Sequence, residues 1–271
     1  MSLIALKHED TRRILTFTAA LFVVSIIVAS RTDMWWVAVV PPLAFLGIAL
    51  LIAHYFRAHE ENLVWQAQDI QDLQFIQSAI KPVRPLPYLT RWSCSPALAA
   101  RLIGLLQEHR PARIVELGSG VSTLVMAYAV RSVGSGRITS LDHDLEYAAI
   151  TRRELRAHGM SDLATVHDAP LRPVDTTRGS RSWYDPSVLD GLEEIDLLVV
   201  DGPPRKSGPD ARWPAFDLLR SRLSPGAIVV LDDTARSDED ASVASWTSAA
   251  AEGGVRQLFC RKGVTIIQMP G

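Results

Sequence analysis

The chain has 271 residues, with 28 Lys+Arg against 30 Asp+Glu, which fits one large domain or two modest ones. A formal charge of −2 excludes the basic footprint of a nucleic-acid binder, and 48% hydrophobic with 21% charged residues excludes a disordered chain. Cys94 and Cys260 supply neither a disulfide framework nor a CxxC metal or redox pair.

The mean hydropathy of +0.11 is high for a soluble enzyme and low for a polytopic membrane protein. The excess is local. No charge falls between Arg13 and Arg31, and none between Asp33 and Arg57. These runs predict two membrane spans, at about 14–30 and 34–54, close to the length that crosses the hydrocarbon core. Trp35, Trp36, Tyr55 and Phe56 suit aromatic belts at the interfaces, and Pro41 and Pro42 are tolerated in membrane helices. Two other readings stay open: a cleaved signal ending at Val28-Ala29-Ser30, and an apolar hairpin buried in a core. Lys7, Arg12 and Arg13 before the spans, with Arg57, Lys81 and Arg84 after them, place both ends in the cytoplasm. The expected location is the inner membrane, as a multi-pass protein, with 1–56 as its anchor.

Residues 58–80 follow as a polar helix carrying Leu63, Ile70, Leu73, Ile76 and Ile80. It is either a stalk packed on its own domain or a short coiled coil that pairs two copies. Pro82, Pro85 and Pro87 stop any helix, so 57–87 reads as stalk and linker and 88–271 as the main domain. From there helix and strand alternate. Helices are expected at 96–108, 122–133, 145–158 and 213–223, the first with Ser95 as its N-cap. Strands are expected at 113–117, 137–141, 164–167, 195–200 and 227–231, with a closing hairpin over 255–260 and 264–269. The alternation means a mostly parallel sheet with helices on both faces. Segment 170–194 is too long for a plain loop and reads as a lid or binding loop holding Trp183, Tyr184, Arg172, Arg178 and Arg181.

In such a sheet, ligands bind beyond the carboxyl ends of the strands. The five strand ends read Glu116-Leu-Gly118-Ser119-Gly120, Asp142-His143-Asp144, Asp168-Ala169-Pro170, Asp201-Gly202-Pro203 and Asp232-Asp233-Thr234. Each carries at least one carboxylate. The Gly118-x-Gly120 turn admits a ligand close to the backbone, and Asp142, 22 residues after Gly120, is placed to accept from ribose hydroxyls. Asp144 is the alternative. No basic phosphate clamp accompanies the turn, so the ligand is adenosine-like without a pyrophosphate.

The runs ELGSGVST and LDHD resemble the first two motifs of class I S-adenosylmethionine-dependent methyltransferases. DAPL, WYD, VDGPP, RWPA and LDDTAR continue the likeness to a bacterial methyltransferase-domain group related to small-molecule O-methyltransferases. The resemblance implies a Rossmann-like fold with a seven-stranded, mostly parallel sheet. It places Glu116, Gly118 and Gly120 around the methionine part of the cofactor, Asp142 on the ribose, and Asp168 with Ala169 beside the adenine, with Ser119 and Ser122 also among the cofactor-binding residues. It also implies a Mg²⁺ site of Asp201, Asp232 and Asp233, as in the metal-dependent O-methyltransferases. One departure is that Pro203-Pro204 stand where the macrolide-sugar enzymes carry a histidine. Capping and a solvated loop are the plain alternative for Asp232-Asp233. Asp201 and Lys206 are the catalytic candidates, Lys206 as general base, although Arg205, Lys206 and Arg212 could instead bind an anionic group or face solvent. Trp92, Ser93 and Ser95 are expected to cover the cofactor.

The expected activity is O-methylation of a small-molecule, glycan or lipid-linked acceptor at the cytoplasmic membrane face, with S-adenosylmethionine and possible help from Mg²⁺. The alternatives are an N-methyltransferase of the same fold, a tethered metabolite-binding module, and a structural protein that dimerises through its stalk.

Overall fold

The computed structural model describes residues 8–32, 36–89, 93–250, 254–258 and 260–271. Lys7, Asp33, Trp35 and Trp92, invoked above, lie outside them. The chain divides into two compact units, Met1–Ala67 and Gln68–Gly271.

In the first unit α1 spans His8–Thr32, and α2, Trp36–Ile80, starts there and runs on into the second. Both helices are long and apolar enough to cross a membrane. Their apolar side chains lie largely open, among them Phe17 at 67% and Leu51 at 70% exposure, and a soluble core helix would hide such groups. Pro41 and Pro42 sit inside α2 without ending it. The predicted second span and stalk are thus one continuous helix.

The second unit begins with the last turns of α2, where Ile76 and Ile80 are buried in its core. Then follow α3 (Pro96–His109), β1 (Arg113–Leu117), α4 (Val121–Val133), β2 (Arg137–Asp142), α5 (Leu145–Ala157) and β3 (Ala164–Asp168). A separate antiparallel hairpin, β4 (Leu171–Thr176) and β5 (Gly179–Tyr184), occupies the segment read as a loop. The domain closes with β6 (Ile195–Val200), α6 (Trp213–Leu219), β7 (Leu223–Asp232), α7 (Asp240–Ala249), β8 (Val255–Leu258) and β9 (Val264–Gln268). The α6 helix is shorter than the sequence predicts, because Arg220–Arg222 form a 3-10 turn and β7 begins at Leu223.

The sheet has seven strands in the order β3-β2-β1-β6-β7-β9-β8, all parallel except β9. Its strands read as unbroken apolar runs because both faces are covered. Period-two alternation sends Ile114, Leu197, Val199, Ile228 and Val230 into one core layer with α3, α4 and α5. It sends Val115, Leu117, Leu198, Val200, Val229 and Leu231 into the other, with Trp183, Tyr184 and Trp246. Caps fix where helices start: Ser95 accepts from the Leu98 amide at 3.2 Å, and Asp144 accepts from Glu146 and Tyr147 at 3.0 and 3.2 Å. Strand order reverses between β1 and β6, so their carboxyl ends open the crevice where such folds bind ligands.

Candidate active site

The loop after β1 is shaped by Gly118, whose φ of 98° a side chain would strain. Ser119 then anchors the loop to the end of β2. Its amide and hydroxyl donate to Asp142 Oδ2 at 3.0 and 2.6 Å, and the Asp144 amide donates to Asp142 Oδ1 at 3.0 Å. Asp142 therefore sits at the crevice as a buried acceptor, whereas Asp144 is occupied in capping α5. The Ala169 amide donates to the Asp142 carbonyl at 2.7 Å, which brings the end of β3 alongside. Asp168 is half exposed and pairs with Arg152 at 2.8 Å.

Glu116 falls on the other strand parity and points beneath this loop. It is fully buried and accepts from the Thr123 and Ser140 hydroxyls, both at 2.5 Å. Burial pushes its carboxyl up to about 7, against the hydroxyls around it. Thr123 Oγ1 in turn accepts from the Gly120 amide at 3.0 Å. Glu116, Ser122, Thr123 and Ser140 thus make a buried polar seat for the glycine loop.

Beyond β6 and β7, the structure brings Asp201, Asp232 and Asp233 together, with one oxygen of each within 4.8 Å of the others. Asp233 holds a left-handed φ of 60°, a conformation aspartate tolerates better than most residues. Arg212, 5% exposed, reaches into this group. It donates to the Asp232 carbonyl at 2.6 Å, the Asp201 carbonyl at 2.8 Å, Asp201 Oδ1 at 3.3 Å and Asp233 Oδ2 at 2.9 Å. Glu239 lies 3.6 Å from its Nε, and Arg236 pairs with Asp233 at 2.9 Å. Arg212 is thus a structural clamp across two strand ends, and neither a substrate-binding cation nor a solvated one. Among the described residues, none donates a hydrogen bond to either oxygen of Asp232 or to Asp233 Oδ1, and all three are buried. Burial and the repulsion of Asp232 hold the Asp201 carboxyl well above its usual range. Burial and Asp233 raise the Asp232 carboxyl as well.

Lys206 is exposed on the short Arg205–Ser207 turn. The lysine whose charge acts on Asp232 is instead Lys262, whose Nζ donates to the Ser93 carbonyl at 3.2 Å. Next to Ser93, Cys94 is buried. Burial and the carboxylates of Asp201, Asp232 and Glu116 push its thiol well up, so it stays protonated and inert. Sequence reasoning missed Lys262 and Cys94, although the predicted closing hairpin put Lys262 in its turn. The arginines of the hairpin are used within the fold: Arg181 pairs with Asp210 at 3.0 Å, Arg178 stacks on Trp213 at 4.0 Å, and Arg172 lies 3.6 Å from Asp185. Trp183 and Tyr184, read as part of a lid, are fully buried.

Residues 115–234 match the model of a family described as a methyltransferase domain. The chain is 34% identical over 142 residues to the O-methyltransferase hkm8 of Aspergillus hancockii, covering 51% of this chain and 49% of that protein. It is 37% identical over 67 residues to an arginine N(omega)-methyltransferase of Streptomyces achromogenes subsp. streptozoticus, covering 25% of this chain and 18% of that protein. The chain therefore spans about half or less of the length of these curated relatives. The solved structure of a Podospora anserina methyltransferase with bound S-adenosylhomocysteine shares the fold at a TM-score of 0.50 and 16% identity. The match covers 74% of this chain and 88% of that one. Residues 115–234 thus resemble a methyltransferase domain, and the second unit has the Rossmann-like fold of that solved methyltransferase.

Proposed function

We propose that this methyltransferase domain transfers the methyl group of S-adenosylmethionine to a hydroxyl of a small-molecule, glycan or lipid-linked acceptor. The observation that carries the reading is the convergence at the switch point of the Ser119–Asp142 anchor with the acids Asp201, Asp232 and Asp233. The first would bind the cofactor, with Asp142 facing the ribose and Gly118 and Gly120 the methionine part. Asp168 and Ala169 would flank the adenine. The acids would receive the acceptor. Its hydroxyl proton leaves to the Asp201 carboxylate, which its raised pKa makes a stronger base than an ordinary aspartate. The alkoxide oxygen attacks the methyl carbon in line, the carbon–sulfur bond breaks, and neutral S-adenosylhomocysteine departs. Positioning supplies most of the rate in such a transfer.

The donor set also fits a divalent cation such as Mg²⁺. Asp232 keeps two buried oxygens and Asp233 one with no donor, and oxygen ligands of this kind suit a hard cation. Asp201, Asp232 and Asp233 would hold it, and it would supply Lewis-acid lowering of the acceptor's pKa. A second reading, N-methylation of a cationic acceptor, draws on the same uncompensated carboxylates and on the arginine N(omega)-methyltransferase likeness. The exposed apolar side chains of α1 and α2 support a two-span anchor, with the domain on the cytoplasmic side where the cofactor is made. Exposed Leu63 and Ile70 on α2 are where a second copy would pair.

The test is the detergent-solubilised chain with methyl-labelled cofactor and a panel of hydroxyl and amine acceptors from envelope extract. Label in a methyl ether supports the first reading, and label on nitrogen the second. Binding without transfer to any acceptor points to a metabolite-binding module. EDTA followed by Mg²⁺ add-back should abolish and restore transfer, and unchanged rates would remove the cation.

A further inference from the structure

Tyr184, the last residue of β5, is fully buried, and its hydroxyl makes no hydrogen bond among the described residues. The ring centroid lies 6.5 Å from that of His143, just past the end of β2, and its hydroxyl abuts Gly202, just past the end of β6. Between those ends stands the Gly118 loop of β1. A Cβ on Gly202 would collide with the Tyr184 hydroxyl and would stand 3.2 Å from the Leu117 carbonyl and 3.3 Å from the Gly118 amide. Gly202 does not have a positive φ, so no backbone conformation calls for a glycine there. The missing side chain makes room for the hydroxyl. An orphan buried donor is costly and rare in folded proteins, and one aimed into a ligand crevice calls for an acceptor that the ligand brings.

We infer that Tyr184 is a cofactor-contacting residue whose hydroxyl donates a hydrogen bond to the carboxylate of the methionine arm of S-adenosylmethionine. This rests on the transferase reading above. The hydroxyl stands against Gly202, beside the Leu117–Gly118 turn proposed above for the methionine part of the cofactor. The methionine arm carries an ammonium, a sulfonium and a carboxylate, and of these only the carboxylate accepts a hydrogen bond. Burial and the charge of Asp142 push the phenol well above its usual range. It therefore stays a donor and cannot serve as the general base.

The β4–β5 hairpin that delivers Tyr184 is fastened to the acid cluster's own loop. At its tip the Thr177 amide donates to Asp217 at 2.7 Å, and Arg181 holds Asp210, two residues before Arg212. The tyrosine is thus set by the same segment that clamps Asp201 and Asp233.

Tyr184→Phe keeps the ring and removes only the hydroxyl. With the full chain in detergent, calorimetry would measure Kd for S-adenosylhomocysteine and for adenosine, beside the ligand-free Tm. The expected result is a Kd for S-adenosylhomocysteine raised about tenfold, as loss of one hydrogen bond to a charged group predicts, with adenosine unchanged. The Tm should hold or rise, because an unsatisfied buried hydroxyl is removed. An unchanged Kd overturns the inference. So does equal weakening of adenosine, which would move the contact to the nucleoside, or a tighter Kd, which would make Tyr184 a plug. Wild type that binds no S-adenosylhomocysteine overturns the transferase reading itself.

Discussion

Replacing Arg212 by methionine keeps an apolar stem of similar length and removes the guanidinium that joins the ends of β6 and β7. Four acids act on Arg212, namely Asp201, Asp232, Asp233 and Glu239. In wild type it meets the backbone carbonyls of Asp232 and Asp201 at 2.6 and 2.8 Å, as well as two of the carboxylates. Removing one partner of a buried ion pair costs about 3–5 kcal/mol. The orphaned carbonyls push toward the top of that range, and water admitted beside the partly exposed Asp201 pulls toward the bottom. For a unit of this size, about 2–4 °C of Tm per kcal/mol gives a fall of about 6–20 °C. The pH dependence has a definite sign. Burial first, then neighbouring carboxylates, raise the folded pKa of Asp201 and Asp232 above the unfolded value. Such groups contribute stability that is intact below the unfolded pKa and lost as pH rises through the folded one. Arg212 limits that loss, so the gap between variant and wild type should be widest near about pH 8 and should narrow toward about pH 5. Thermal unfolding in EDTA, followed through the fluorescence of buried Trp183 and Trp246, reads the gap directly. A variant within about 2 °C of wild type near pH 8 refutes the clamp, as does a gap that widens on acidification.

Asp142→Ala strips the acceptor from Ser119 and from the Asp144 amide, so S-adenosylhomocysteine affinity should fall at least about tenfold in calorimetry, with Asp142→Asn losing less. Glu116, with its carboxyl at about 7 when folded, should make wild type lose stability as pH rises from about 4.5 to about 7, by about 3 kcal/mol in all. Glu116→Gln should flatten urea unfolding over that window, and an unflattened profile would mean that Glu116 stays ionised. Gly202→Ala should lower Tm less in a Tyr184→Phe background than in wild type, because the hydroxyl that its Cβ meets is gone. Additive losses would separate the two residues.

The parallel core was legible because a strand covered on both faces must be apolar at every position. RIVEL, IDLLVV and AIVVL each sit inside the strand they predicted, and each ends in or beside the acid that marks the site. The closing hairpin declared itself through Arg261-Lys262-Gly263 in the same way. The β4–β5 hairpin did not. LRPVDT carries a proline and GSRSWY opens on glycine and serine, so neither has the apolar alternation of a strand. Its order comes from contacts made far along the chain, Thr177 with Asp217 and Arg178 with Trp213.

The same limit explains how the acid cluster read in sequence. Asp201, Asp232 and Asp233 follow two strands, and three carboxylates without a visible counter-charge invite a foreign cation. Arg212 stands 11 residues past Asp201 and looks like any loop arginine until the chain folds back. Once it does, Asp201 and Asp233 are both paired, Arg236 adds a second contact to Asp233, and among the described residues no donor reaches either oxygen of Asp232. Whatever occupies the site, a divalent cation or a cationic acceptor, meets a cluster already part-neutralised by the protein's own guanidinium. Its binding must therefore depend most steeply on Asp232 and less on Asp201 or Asp233. That ordering belongs to the clamp, and three independent carboxylates around a free ion would not produce it.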